Sequence, residues 1–256
     1  MFSYLPEDNY GTIEKVGKTY CNMKMNGDNI SQKDISQWDS IWKKQGLLRA
    51  VVDCGRRIYS RFFLAILRKI VTNKSDIVEL GCGTSSTILQ LHQCVNSITG
   101  IDLSTEALVL SELNAGKTGV KNFKLLQGDC RKLKIKDEIF DLVWSQGLLE
   151  HFARPEEALQ EHIRICKNNG NVVISVPARY SFFYVWYVLT HILHIKRLWP
   201  WTEQDFYTKE NLLNMLKRLN YDTNHGVRIY AMKPFFLGIL ILEINKSQLV
   251  KLESPV

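Results

Sequence analysis

Between Ile77 and Pro177 the chain alternates short apolar runs with longer segments of helical period, and this alternation restricts the fold more than any other feature. Ile77 to Leu80, Ser97 to Asp102 (SITGID), Asn122 to Gln127, Ile139 to Trp144 and Asn171 to Pro177 (NVVISVP) read as strands. Each is short and rich in β-branched or aromatic residues, and the intervening turns carry Gly, Asp, Asn or Pro. Ser85 to Gln93, Thr105 to Gly116 and Pro155 to Lys167 suit helices. In the last, Ala158, Leu159, His162, Ile163 and Cys166 share one face. Strand followed by helix, repeated, calls for parallel strands, because right-handed crossovers lay the helices over both faces of one sheet.

Two further strands lie past this core. Lys209 to Leu219 is helical in pattern, and Val227–Met232 and Phe235–Ile244 read as strands joined at Lys233-Pro234, an antiparallel hairpin closing the sheet. The fold class is therefore α/β: a doubly wound, Rossmann-like, mostly parallel sheet of seven strands with a C-terminal antiparallel hairpin and helices on both faces. Ahead of the core, Leu47 to Thr72 carries Val51, Ile58, Phe62, Phe63, Ile66, Leu67 and Ile70 at helical spacing among arginines, an amphipathic helix with a solvated basic face.

Composition excludes several alternatives. With 256 residues, 45% hydrophobic and 23% charged, the chain lies within ordinary globular usage, so disorder, collagen-like repeats and a polytopic membrane protein do not fit. The net charge of +7 admits an anionic ligand, nucleic acid or an acidic membrane surface and does not choose among them. The six cysteines are scattered, without CxxC or zinc-module spacing, which suits a reduced, cytoplasmic interior and no metal. The start, MFSYLPEDNYGTIEK, shows no basic segment followed by an apolar one, so no secretory signal is expected.

The chemistry concentrates at Glu79-Leu80-Gly81-Cys82-Gly83-Thr84-Ser85-Ser86, a strand running into a tight Gly-x-Gly turn. Glycines there let backbone approach a ligand at the carboxyl end of the first core strand, where open α/β sheets bind nucleotides. Asp102 ends the next strand, where a carboxylate accepts hydrogen bonds from ribose hydroxyls. A dinucleotide site asks for a third glycine where Ser86 stands, and Glu79 would set negative charge near a pyrophosphate. Glu79 suits instead a ligand carrying an ammonium and a sulfonium. Gly128-Asp129 ends the third strand with one more acid, able to accept from an adenine amino group.

These residues resemble the class I S-adenosylmethionine-dependent methyltransferases over roughly Asp76 to Pro177. The acidic residue before Gly-x-Gly is similar to Glu79, Gly81 and Gly83, the ribose acid to Asp102 and the adenine-side acid to Asp129. Phe140-Asp141-Leu142-Val143-Trp144-Ser145-Gln146-Gly147-Leu148-Leu149-Glu150-His151-Phe152 resembles the fourth-strand run of small-molecule members. The resemblance implies S-adenosyl-L-methionine as cofactor and S-adenosyl-L-homocysteine as product. It implies a cofactor site of Glu79, Gly81, Cys82, Gly83, Asp102, Leu103, Gly128, Asp129, Cys130, Ser145 and Gln146, and methyl transfer by in-line displacement to a small or lipid-like acceptor. His151 is the candidate general base, with orientation of the loop as its other reading. The family often has a third glycine where this chain has Ser85, whose side chain is expected to narrow the floor of the turn. Cys82 and Cys130 read as packing residues, and Arg164 as pairing locally on its helix.

Acceptor choice should lie outside the cofactor half. The division expected is a lid or cap over residues 1–46 and a methyltransferase domain over 47–256, within which 178–207 is an aromatic-rich substrate cap. Tyr10, Tyr20, Trp42, Tyr180 and Tyr184 are the candidate acceptor contacts. The apolar stretch Phe182 to Ile195 is shorter than the roughly 20 residues a spanning helix needs. It reads as a buried helical cap, a pocket-forming lid, or a peripheral membrane contact over 182–201, where Trp, Tyr, Lys196 and Arg197 suit an interface. Two other functions stay open: an RNA-directed methyltransferase, prompted by the positive charge but lacking the Asn/Asp-Pro-Pro-aromatic run of base-methylating enzymes, and a non-catalytic binding module on the same fold. The sequence leaves the oligomeric state undetermined.

Overall fold

A computed structural model describes residues 21–22, 32–43, 59–195, 204–232 and 238–252. Tyr10, Tyr20, the first part of the 47–72 helix, Lys196–Trp201 and the Lys233-Pro234 junction lie outside the described residues. The elements run β1 (Cys21–Asn22), α1 (Gln32–Lys43), a helical run over 59–67 (α2), β2 (Asp76–Leu80), β3 (Ser97–Asp102), α3 (Thr105–Thr118), β4 (Phe123–Gln127), β5 (Phe140–Gln146), α4 (Pro155–Ile165), β6 (Cys166–Pro177), α5 (Phe182–Ile192), α6 (Lys209–Arg218), β7 (Val227–Ala231) and β8 (Ile239–Asn245).

One sheet holds the strands in the order β1-β4-β3-β2-β5-β6-β8-β7. The pairs from β1 through β6 are parallel, and β8 runs antiparallel to both β6 and β7. The expected seven strands and terminal hairpin are present, and the two-residue β1 adds a short parallel pairing to the free edge of β4, Cys21 opposite Leu126. From β2 the chain winds outward through β3 to β4 and then returns to β5 on the other side of β2. The crevice where strand order reverses thus opens above the carboxyl ends of β2 and β5.

Both faces of the sheet are covered, which is why its central strands are apolar on both sides. Val78, Leu80, Val143, Val172 and Ile174 pack under α4 and α6, through Leu159, Ile163, Leu212 and Met215. Ile77, Ile98, Leu142 and Trp144 pack under α2, where Phe63 lies 4.9 Å from the Trp144 ring. Of the apolar stripe predicted for the 47–72 helix, Phe63 and Leu67 are inaccessible to solvent, Ile66 and Ile70 are half-buried, and Phe62 is exposed.

Three local expectations need correction. Ser85–Gln93 is not an α-helix but a turn leading into a 3₁₀ segment, Ile88–Leu91, with Gln90 N–H bonded to the Thr87 carbonyl and His92 N–H to that of Leu89. Ser85 holds φ +51°, so no right-handed helix runs through it. The fifth core strand begins at Cys166 rather than Asn171, straight out of α4, and its register against β5 shifts between the Phe140–Cys166 and Leu142–Asn171 pairs. Arg164 reaches well beyond its own helix: Nη1 donates to the Ile135 carbonyl (2.7 Å) and Asp137 (2.6 Å), Nη2 to the Leu133 carbonyl (3.0 Å), and Nε to Glu161 (2.6 Å). It pins the 133–137 loop to α4.

Candidate active site

The turn after β2 is left-handed at alternate residues: Gly81 at φ +64°, Gly83 at +51° and Ser85 at +51°. Glycine is required twice. A Cβ on Gly81 would lie 2.7 Å from Leu148 Cδ1, and one on Gly83 2.6 Å from Trp42 Cη2. Ser85 tolerates the strained conformation with its side chain buried, its hydroxyl accepting from that of Ser111 on α3 at 2.5 Å. A Cβ on Gly100 of β3 would lie 3.2 Å from the Ser85 Oγ. The serine is thus tied to α3 and β3 rather than left to line the turn.

Asp102 ends β3 and is 9% exposed. Its Oδ2 accepts the Gly83 N–H (2.8 Å), 19 residues back, and its Oδ1 accepts the Ser104 N–H (2.9 Å). Burial pushes its carboxyl upward, while the Ser104 and Gly83 N–H groups pull it down; burial wins. Gly128 N–H bonds the Asp102 carbonyl (3.0 Å) and Gln127 Nε2 bonds that of Leu103 (3.0 Å), so the end of β4 is laced to the end of β3. Asp129 is buried there, both oxygens held by Arg131 Nε (3.0 Å each) and Oδ2 also by Nη2 (2.7 Å). Glu79 is buried on β2, its Oε1 accepting from Trp144 Nε1 (2.9 Å). Cys82 and Cys130 are buried, and burial pushes both thiols up, which keeps them neutral and suits packing over nucleophilic chemistry.

At the end of β5, Ser145 is fully buried and its Oγ lies 2.9 Å from His162 Nε2, while His162 Nδ1 lies 2.6 Å from the Ala158 carbonyl. A carbonyl only accepts, and burial pushes His162 down to about 4, so the ring is neutral. Nδ1 then carries the proton and Nε2 accepts from the Ser145 hydroxyl. Gln146 Oε1 accepts from Thr87 Oγ1 (3.3 Å), joining the end of β5 to the turn that follows β2.

Three acids and two left-handed glycines therefore converge on the carboxyl edge at the switch point. Residues 78–174 match the sequence model of a methyltransferase domain family. Over these residues the chain is similar to the class I S-adenosylmethionine-dependent methyltransferases. It is 35% identical over 99 residues to a phosphatidylethanolamine N-methyltransferase of Cereibacter sphaeroides, covering 38% of this chain and 48% of that protein. It is 34% identical over 108 residues to a malonyl-[acyl-carrier protein] O-methyltransferase of Buchnera aphidicola, covering 42% of each. The chain thus spans about half the length of these relatives. Among solved structures, geranyl diphosphate C-methyltransferase of Streptomyces coelicolor, in complex with Mg²⁺, geranyl diphosphate and S-adenosyl-L-homocysteine, superposes with a TM-score of 0.61 at 11% identity, covering 84% of this chain and 97% of that one. Magnesium protoporphyrin IX methyltransferase of Synechocystis, with bound S-adenosyl-L-homocysteine, does so at 0.57 and 15% identity, covering 83% and 94%. At such identities the likeness is one of fold.

In this chain α1 lies against the crevice. Its Asp39 Oδ1 accepts from the Ser104 hydroxyl (2.5 Å) and the Glu106 N–H (3.3 Å), Lys43 pairs with Glu106 (3.2 Å), and Trp42 packs on Gly83. The Trp38 ring meets that of His151 edge-on at 5.0 Å. His151 is half-buried in the 3₁₀ turn Leu149–His151, and next to it Glu150 is 6% exposed. Glu150 Oε2 has no hydrogen-bond partner among the described residues, and burial pushes this carboxyl up to about 8.

Of the acceptor candidates, Trp42 is at the glycine turn. Tyr180 and Tyr184 form a separate group beyond β6, their rings 6.0 Å apart with the Arg179 guanidinium over both and Phe206 5.2 Å from Tyr184. A cavity of about 200 Å³ opens beside them, lined by Arg179, Tyr180, Tyr207 and Gly238 among others. Asp39, Trp144, His162 and Glu150 were not singled out from the sequence as site residues. The one available signal is Glu150 itself, an acid set between Leu149 and Phe152 just past a buried strand.

Proposed function

We propose that this chain transfers a methyl group from S-adenosylmethionine to a small or lipid-like acceptor. The observation that carries the reading is Asp102: a buried carboxylate at a strand end, locked to a left-handed glycine of the preceding strand's turn, fits a ligand with two vicinal hydroxyls. Glu79 is the acid for the ligand's ammonium. Asp129 and Gly128 flank the adenine, with Leu103, Cys130, Ser145 and Gln146 shaping the walls. The cofactor, when bound, supplies an electrophilic methyl group on a sulfonium leaving group.

The protein's share is position and dryness. Gly81 and Gly83 admit the ligand close to backbone. Residues 1–46 act as the lid, with Trp38 and Trp42 excluding water above the turn, and 178–207 as the acceptor cap. His151, beside Trp38, takes the proton that the acceptor releases. The lipid-like class is supported by relatives named for phosphatidylethanolamine and by a structural neighbour holding geranyl diphosphate.

Calorimetric titration with S-adenosylmethionine and S-adenosylhomocysteine tests the reading. Asp102→Ala removes a charged hydrogen-bonding group and should weaken both by roughly 100-fold. Absence of binding by the unmodified chain, or unchanged affinity in the variant, would overturn it. Tight, steeply salt-dependent RNA binding would overturn the acceptor class.

A further inference from the structure

We infer that Arg131 is a positioning residue for the cofactor's base: it fixes the Asp129 carboxylate as the acceptor of one N–H and so sets a preference for adenine over a base that presents an oxygen there. This role rests on the methyl-transfer reading, which puts Asp129 beside the adenine, and adds to it a residue outside that set.

The segment after β4 is built around this carboxylate. Asp129 Oδ1 accepts the N–H of Arg131 two residues on (2.9 Å), and the Asp129 carbonyl accepts the N–H of Lys132 (3.0 Å), so the chain turns back at once. The turn brings the Arg131 side chain to the same carboxylate. Its Nε lies 3.0 Å from each oxygen, and its Nη2 lies 2.7 Å from Oδ2. The Asp129 side chain is 10% exposed and that of Arg131 34%, which makes the guanidinium the outer member of the pair. The same guanidinium stands 5.3 Å from the centre of the Phe152 ring. Phe152 closes the 3₁₀ turn after β5, its N–H on the Leu149 carbonyl (3.2 Å). A planar fork held by a carboxylate and by a ring face has little freedom to rotate. The direction of the acid is therefore set from two places, its own turn and the turn that follows β5.

Counting protons gives the consequence. A carboxylate has roughly four lone-pair sites. Among the described residues three N–H groups reach those of Asp129, from the Arg131 backbone, Nε and Nη2. One site is left, which suits one N–H of the exocyclic amino group of adenine. Hypoxanthine carries a carbonyl oxygen in the same place. An ion-paired carboxylate only accepts, so that oxygen would face another acceptor in a buried position and neither would be satisfied. Without the fork, the Asp129 side chain can turn about its own bonds and take up a proton, and a protonated carboxyl donates to an oxygen. The preference for adenine thus comes from Arg131 acting through Asp129. A lysine would keep the charge and lose the two-point hold. A purely structural pair would secure the turn and leave the choice of base unchanged.

Calorimetric titration of the full chain with S-adenosylhomocysteine and with S-inosylhomocysteine, its hypoxanthine analogue, tests this directly. The unmodified chain should bind the first roughly 100-fold more tightly. Arg131→Ala should bring that ratio to roughly tenfold or less, mainly by weakening S-adenosylhomocysteine. Arg131→Lys should keep more of the affinity and show the same reduced ratio, and it carries the test if thermal denaturation shows the alanine variant unfolded. Affinities that fall in parallel in both variants, with the ratio unchanged, would overturn the inference and leave the methyl-transfer reading standing. Full recovery of the ratio by lysine would also overturn it, since charge without orientation would then suffice. Equal binding of the two ligands by the unmodified chain would remove Asp129 from the adenine and the role of Arg131 with it. Binding of neither would overturn both this role and the methyl-transfer reading.

Discussion

Replacing Glu150 by Gln should make the protein's stability less sensitive to rising pH between about 5 and 7, and the size of the effect follows from where the carboxyl sits. It is 6% exposed, its Oε2 lacks a partner among the described residues, and burial moves it from an ordinary value of 4.5 to about 8. The folded state therefore holds a proton that the unfolded chain gives up above about 4.5. Stability is complete below that value and is lost progressively as pH rises toward 8. Between about pH 5 and pH 7 the wild type should lose about 2–3 kcal/mol through this one group, from 1.36 kcal/mol per unit of pH once the unfolded carboxyl has ionised. Glu150→Gln keeps shape and removes the titration. Urea denaturation of both proteins, followed by tryptophan fluorescence across that range, gives a difference in which other titrating groups cancel. A difference in stability that stays constant with pH would refute the reasoning, because Glu150 would then be ionised in the folded state.

Other consequences are as direct. Gly83→Ala forces a side chain into φ +51° and against the Trp42 ring; it should cost about 1–2 kcal/mol in thermal denaturation and weaken S-adenosylhomocysteine in titration. His162 is held down to about 4 by burial, so its contribution is present above 6.5 and lost as pH falls toward 4, by about 3 kcal/mol in all; His162→Gln should flatten that acid limb in the same urea series. Arg164→Ala releases the carbonyls of Leu133 and Ile135 and should cost about 2–3 kcal/mol, with earlier proteolysis in 133–137 and no change in cofactor affinity.

Much of the fold is legible in the alternation of runs, because strand and helix periods are local properties and a repeated strand–helix unit admits one handed way of winding. The terminal hairpin is legible for the same reason. The helix expected over Ser85–Gln93 was misread because its apolar residues have suitable spacing while the left-handed Ser85 blocks helix entry, and a φ angle is not a compositional property. The start of β6 at Cys166 was hidden because Lys167, Asn168 and Asn169 look like a loop; they fall in the irregularity between the Phe140–Cys166 and Leu142–Asn171 pairs with β5.

The turn glycines and the acids at the strand ends stand in the chain by themselves, since each is placed by its own strand. What the tertiary structure decided is every relation across strand order. Asp102 meets the Gly83 N–H because β3 lies beside β2, and Gln146 faces Thr87 because β5 returns to the other side of β2. Glu150 becomes an acid held neutral because the end of β5 and the Tyr207 segment close over it, with Tyr207 bonding the Leu149 carbonyl and Asp205 N–H that of Glu150 itself. The apolar stripe of α5 is plain in the sequence, yet its outward direction is not. A helical period says that two faces differ, and only the docking of Tyr184 and Tyr187 onto Phe206 says which of them meets solvent.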